Sequence, residues 1–163
     1  ENYSKKTLEQ VLDGNLIGVT LSCREACKIF LEQKYGVIIN ISSVYGITAA
    51  DQRIYNNVKN IYSNDEPFSS PVSYAISKGG IVQLTKYLSS YYREKNIRVN
   101  CLTPGGVFDE HDNDFNSKYS SKTTLGRMAK KDEYNGAIHF LCSNASSYMN
   151  GANLIIDGGW TSF

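Results

Sequence analysis

Long apolar runs are missing from this sequence. No stretch reaches the roughly 18 to 20 residues that a membrane-spanning helix requires, and no signal-peptide pattern opens the chain. An excess of charge of one sign is missing too. Lys and Arg number 17 against 16 Asp and Glu, and the basic residues are scattered, with Lys130-Lys131 the only late pair and no interleaved aromatics. A net charge of +1 provides no electrostatic basis for binding nucleic acid or a membrane surface. The expectation is a soluble cytoplasmic protein. Metal-ligand spacing is also absent. Cys23 and Cys27 share a helix face at i, i+4, but no histidine or further cysteine lies near them to complete four ligands; these two, Cys101 and Cys142 read as buried free thiols and the metal assignment is none. With 163 residues and 41% hydrophobic content the chain can bury one core, so one domain is the default. The first residue is Glu1 and the pattern begins in mid-course, as in a piece of a longer protein.

What is present is Ser73-Tyr74-Ala75-Ile76-Ser77-Lys78-Gly79-Gly80, at the head of a helical pattern that continues through Ile81, Leu84, Leu88 and Tyr91. The i, i+4 spacing puts the Tyr74 hydroxyl and the Lys78 ammonium on one face, one turn apart. A fixed cation beside a phenol favours the phenolate, which suits a proton donor and acceptor. Many helices carry Tyr and Lys at this spacing for packing alone, so the pair needs its surroundings. Upstream, Gly36-Val37-Ile38-Ile39-Asn40-Ile41-Ser42-Ser43 is an apolar run of the kind buried on both faces of a parallel sheet, ending in two serines. Downstream, Ile97 to Thr103 is a second run that ends in Pro104-Gly105-Gly106. Strand, crossover helix and parallel strand form a right-handed unit that brings Ser43, Tyr74 and Pro104 to one edge of the sheet.

From about Thr7 to the C-terminus these motifs, with the closing Asp157-Gly158-Gly159-Trp160, resemble the compact subgroup of the short-chain dehydrogenase/reductase family. Ile39-Asn40-Ile41-Ser42-Ser43-Val44-Tyr45-Gly46 and Leu125-Gly126-Arg127-Met128-Ala129 are similar in wording to members from bacterial surface-sugar and flagellin-modification pathways. The resemblance implies an α/β fold, the C-terminal part of a Rossmann-like doubly wound parallel sheet. Residues 1–163 would form a single partial domain whose strands lie near Val37, Ile97 and Leu154, with one sheet edge open. It implies the catalytic set Asn15, Ser43, Tyr74 and Lys78. Tyr74 would pass the proton, Ser43 would hydrogen-bond the substrate oxygen with Ser42 packed behind it, Lys78 would favour the phenolate and hold the nicotinamide ribose, and Asn15 would anchor a relay water. The cofactor-binding residues would be Tyr74, Lys78 and the turn Pro104, Gly105, Gly106 and Val107. The family's usual threonine five residues after the proline is here Asp109. Also absent are the glycine-rich turn that meets the pyrophosphate, the residue that chooses between NAD and NADP, and the adenosine-lining segment. NAD or NADP is therefore expected for the full-length protein and not on these residues alone. The implied partners are a small-molecule substrate such as a sugar derivative, and copies of the chain in a homodimer or homotetramer. The helices beginning near Thr7 and Val72 would form that interface, with Phe30, Leu84, Tyr87 and Tyr91 as candidates.

The remaining stretches carry smaller expectations. Thr7-Leu8-Glu9-Gln10 reads as a capping box, and Gly14-Asn15 interrupts the helix that follows. Ser43 and Tyr74 stand 31 positions apart, beyond the family's spacing, and the extra length forms an inserted loop over 47–72, polar and aromatic, including Asn64-Asp65-Glu66. With both ends at catalytic residues it should hang over the site and suit a hydroxyl-rich substrate. The acidic run Asp109 to Asp114 departs from a calcium loop at Ser117 and Thr123 and reads as a solvated or substrate-facing loop. Ser117 to Met128 is expected to be a mobile substrate lid. Lys131 to Cys142 is expected to be a helix with Ala137, Ile138, Phe140 and Leu141 inward and His139 packed. Two alternatives stand beside the leading reading: a sugar epimerase or dehydratase of the extended branch, for which the 59 residues after Pro104 leave little room, and a non-catalytic binding or regulatory module.

Overall fold

The computed structural model describes residues 3–58, 60 and 67–162; Glu1 and Asn64-Asp65-Glu66 lie outside them. Helix α1 spans Lys5–Leu12. It starts earlier than the capping box suggests, because the Ser4 hydroxyl takes the cap position and accepts the Thr7 N–H at 3.0 Å, leaving Thr7 inside the first turn. Asp13–Ile17 is a π turn, in which the Gly18 N–H donates to the Asp13 carbonyl five residues back. The Gly14-Asn15 interruption is therefore a bulge, and the helix resumes as α2, Gly18–Gln33.

Strand β1, Gly36–Ile41, crosses through helix α3, Val72–Tyr91, to strand β2, Ile97–Pro104. Helices α4, Asn113–Ser120, and α5, Asn135–Cys142, precede strand β3, Asn153–Ile156. The sheet is parallel in the order β1-β2-β3, with Gly36 opposite Ile97 and Cys101 opposite Asn153. Alternation along the strands sorts residues onto two helical layers. Ile38, Ile97 and Val99 join Cys23 and Leu88 from α2 and α3, whereas Ile39, Leu102 and Leu154 join Tyr134 and Leu141. Polar groups in the strands are paired: the buried Asn40 amide donates to Thr85 Oγ1 at 3.0 Å, and the partly buried Arg98 guanidinium donates to the carbonyls of Leu141 in the last turn of α5 and of Ser143 and Ser146 beyond it.

Several expectations need correction. The stretch from Ser117 to Met128 is not a free lid, because α4 takes its first residues and inserts Phe115 and Tyr119 into the core. Helix α5 is short and presents one narrow stripe, Ala137 and Leu141 in line with Tyr134. Ile138, His139 and Phe140 are consequently turned outward, and Cys142 is an exposed thiol instead of a buried one. Phe30 and Leu84, partly buried, pack against the layer between helices and sheet. The acidic run is also accounted for: the Asp112 carboxylate caps α4, Asp114 pairs with Lys118, Asp109 pairs with Lys131, and no group of metal ligands occurs among the described residues.

The outer edge of β1 faces a groove walled by Gly18, Val19, Cys23, Phe30 and Val37 to Asn40, so that Val37, Ile38 and Ile39 are only partly covered while Val99 on β2 is fully buried. No described helix is long and apolar enough to cross a membrane.

Candidate active site

Three short-range features position the site. At the end of β1 the chain turns into a 3-10 segment, Val44–Gly46, directly beneath the first turns of α3. Ser42 is buried and its hydroxyl donates to the Lys78 carbonyl at 2.8 Å, which ties that turn to the helix. The approach is so close that a Cβ on Gly46 would lie 2.6 Å from Ser42 Oγ and 2.7 Å from the Lys78 carbonyl oxygen. Only glycine fits there.

Lys78 extends from α3 across the end of β1 and donates from Nζ to the Ile41 carbonyl at 3.0 Å, with its ammonium 5.7 Å from the centre of the Tyr74 ring. Burial lowers Lys78 from the ordinary lysine value, while Cys101 acts in the opposite direction. Ser43 Oγ accepts the Tyr45 N–H at 3.2 Å, which leaves its own proton free to donate.

The turn after β2 is held from two sides. The Gly106 N–H donates to the Tyr119 hydroxyl at 2.5 Å, and the Tyr134 hydroxyl donates to the Gly105 carbonyl at 3.1 Å. A Cβ on Gly105 would come 2.8 Å from Asp157 Cα, and one on Gly106 would come 2.6 Å from the Tyr119 ring. Both glycines are therefore required by the chain's own packing, whatever else lies against them. Burial pushes Tyr119 up to about 12, so its phenol stays neutral.

These pieces enclose a cavity of about 550 Å³ at the C-terminal ends of β1 and β2, lined by Ser43, Tyr74, Lys78 and Pro104 to Val107. Such an edge is where open α/β sheets receive ligands. Asn15 stands outside its wall, half-buried in the π turn, which packs on α3 where Leu16 meets Gly80. Asp109 is likewise off the lining and engaged with Lys131.

Residues 1–59 match the family described as short chain dehydrogenase, and residues 60–161 match the one described as enoyl-(acyl carrier protein) reductase. The chain belongs to the short-chain dehydrogenase/reductase family. Among its relatives in that family, a post-translational flagellin modification protein A of Campylobacter coli is 32% identical over 161 residues, which are 97% of this chain and 60% of the relative. A D-threitol dehydrogenase of Mycolicibacterium smegmatis is 31% identical over 166 residues, 99% of this chain and 57% of the relative. A crystal structure of a short-chain dehydrogenase from Leptospira borgpetersenii with bound NAD+ superimposes with a TM-score of 0.88 at 38% identity, over 98% of this chain and 58% of that one. The chain thus spans somewhat more than half the length of the family members it matches.

The structure also reveals site residues that motif reading passed over. Tyr45, Tyr55, Phe115, Tyr119 and Trp160 form one aromatic cluster around the cavity, with Tyr119 stacked on Trp160 at 4.4 Å. The inserted segment is part of it. Asp51 caps a 3-10 turn, Gln52–Tyr55, and Gln52 exchanges hydrogen bonds with the Ser70 backbone, its amide donating to the carbonyl at 2.8 Å and its oxygen accepting the N–H at 3.3 Å. Lys122 pairs with Asp51, and Lys118 donates to the Asn56 carbonyl at 2.6 Å. Ile54, Tyr55 and Val58 are thereby buried, and Tyr55, Phe68 and Ser69 to Pro71 line the cavity. The described part of the segment stands beside the site, and its Ile54, Tyr55 and Val58 are built into the core, while Gln52, Arg53, Asn56 and Asn57 stay exposed. Its tyrosine and phenylalanine content was the available signal.

Proposed function

We propose that this chain is the catalytic portion of a cytoplasmic NAD(P)-dependent oxidoreductase that reduces a carbonyl or oxidises an alcohol on a polar, sugar-like substrate. The observation that carries the reading is the convergence of Ser43, Tyr74 and Lys78 with the Pro104 turn on one cavity. The nicotinamide end of a dinucleotide fits the residues present: Lys78 offers an anchored cation with donors to spare for ribose hydroxyls, and Pro104 to Val107 offer a rigid wall. When bound, the cofactor supplies the hydride that is exchanged with the substrate carbon.

The chain's own residues handle the proton and the oxygen. Ser43, with its hydroxyl proton free, donates to the substrate oxygen. Tyr74 gives that oxygen a proton on reduction and takes it on oxidation. Lys78 sets the electrostatic field at Tyr74 and positions the ribose. Asn15 anchors a relay water at the π turn, where one backbone carbonyl is out of the regular ladder. The aromatic wall and its hydroxyls support a polyhydroxylated substrate over a purely apolar one, since aromatic faces cover sugar C–H groups while phenols meet their oxygens. A resemblance to a threitol dehydrogenase points the same way.

A stacked pair of exposed tyrosines on α3, Tyr87 and Tyr91, supports a homodimer or homotetramer built on this helix. The open edge and groove along β1 support a fourth strand there, supplied by the part of the family's sheet outside these residues. The test of function is Tyr74→Phe in the full-length protein, assayed on keto-sugars with both nicotinamides. Turnover should be abolished with the fold intact, and near-normal activity would overturn the assignment and favour a binding module.

A further inference from the structure

Tyr45 and Tyr55 are not needed for the proton and hydride chemistry, yet they are buried at the cavity wall. Each is 8% exposed. The Tyr55 ring is clamped between Phe68 at 5.2 Å and Phe115 at 5.4 Å, and its hydroxyl donates to the Tyr45 hydroxyl at 3.0 Å. Tyr45 in turn rests edge-on against Trp160, at 6.2 Å and 72°. A phenol carries one proton and can accept from two donors. Having accepted from Tyr55, the Tyr45 hydroxyl retains its own proton, and no acceptor for it occurs among the described residues. Ser43 and Tyr45 leave the same turn, joined by the bond from the Tyr45 N–H to Ser43 Oγ. Ser43 and Tyr45 thus line one cavity from adjacent places in the chain, each with a hydroxyl that accepts one hydrogen bond and keeps its own proton.

We infer that Tyr45 is a specificity-determining residue that donates to a second oxygen next to the reacting one, that Tyr55 of the insertion orients it, and that the substrates are vicinal diols and α-hydroxyketones. The inference rests on the function proposed above and narrows its substrate class. On oxidation the C–H bond of one carbinol breaks, its electron pair leaving as hydride to the oxidised nicotinamide while the O–H proton passes to Tyr74; the neighbouring hydroxyl is unchanged and the product is an α-hydroxyketone. Burial pushes both tyrosines above the ordinary phenol value, with Tyr74 adding to the cost of ionising either, so they remain neutral donors.

The test compares 2,3-butanediol with 2-butanol, which have the same carbon skeleton, using the full-length protein with NAD+ and with NADP+. The wild type should favour the diol in kcat/KM. Tyr45→Phe and Tyr55→Phe should each lower the diol-to-alcohol ratio about tenfold, mainly through KM for the diol, as expected for loss of one well-placed hydrogen bond. The double variant should lose little more than either single one, because the two hydroxyls act as a unit. Tyr55→Phe keeps its ring between Phe68 and Phe115, so it reads the effect independently of how well Tyr45→Phe folds. A wild type that prefers 2-butanol, or variants with an unchanged ratio, would overturn this inference alone. No turnover on these alcohols or on any keto-sugar would overturn the proposed function as well.

Discussion

Ile54→Ala asks whether the insertion is core or cover. Ile54 is 3% exposed and lies in the cluster with Val44, Tyr55 and Phe115. Truncation to alanine removes three carbons, about 2.4 kcal/mol at about 0.8 kcal/mol per buried methylene. The cavity left behind raises this to roughly 3 kcal/mol, within the range of about 2–5 kcal/mol seen for buried Ile to Ala changes. With a urea m-value of about 2 kcal/mol/M the unfolding midpoint of the full-length protein should fall by about 1.5 M at unchanged slope. Tyr55 follows Ile54 directly, so KM for the preferred substrate should rise in parallel. A loop merely draped over the surface would respond by less than about 0.5 kcal/mol. A shift that small would refute the view that Ile54, with Tyr55 and Val58, belongs to the folded core.

Other perturbations address the remaining parts. Gly46→Ala should lower kcat about 100-fold in steady-state assays, because a Cβ 2.6 Å from Ser42 Oγ displaces the turn against α3 and, with it, Lys78 and Tyr74; a kcat within about twofold of wild type would show that the contact yields harmlessly. Glu133 is held at about 2 by Arg127, with help from the Lys130 N–H, against an ordinary 4.5. A depressed carboxylate stabilises the fold above 4.5 and loses that effect as pH falls through about 2, so the gap in thermal midpoint between wild type and Glu133→Gln should close over that interval. Light scattering at micromolar concentration should find the full-length protein oligomeric, and changing Tyr87 and Tyr91, 59% and 66% exposed, to lysine should dissociate it; a monomeric wild type would remove the interface.

The sequence by itself determined the strand-helix-strand frame and the reacting groups. The apolar run around Ile38 and the β-branched stretch around Val99, each bounded by turn residues, suit parallel strands, and a Tyr and Lys one turn apart at the head of the intervening helix then arrive beside the Ser43 end of the first strand. These are consequences of local periodicity and short connections, which a linear reading captures. The irregularity at Gly14-Asn15 was legible for the same reason, as two poor helix formers in a helical pattern. What only the tertiary structure decided depends on which residues meet across long separations. Whether Ile138 and Phe140 face inward turns on the width of the surface that α5 meets, and whether Gly106 is needed turns on the position of the Tyr119 ring. The insertion shows the difference most fully. Its composition suits solvent or substrate equally, and only the Gln52–Ser70 clasp, the Lys122–Asp51 pair and the burial of Ile54 against α4 draw Tyr55 onto Tyr45, since apolar area is removed from water only when distant segments close over one another.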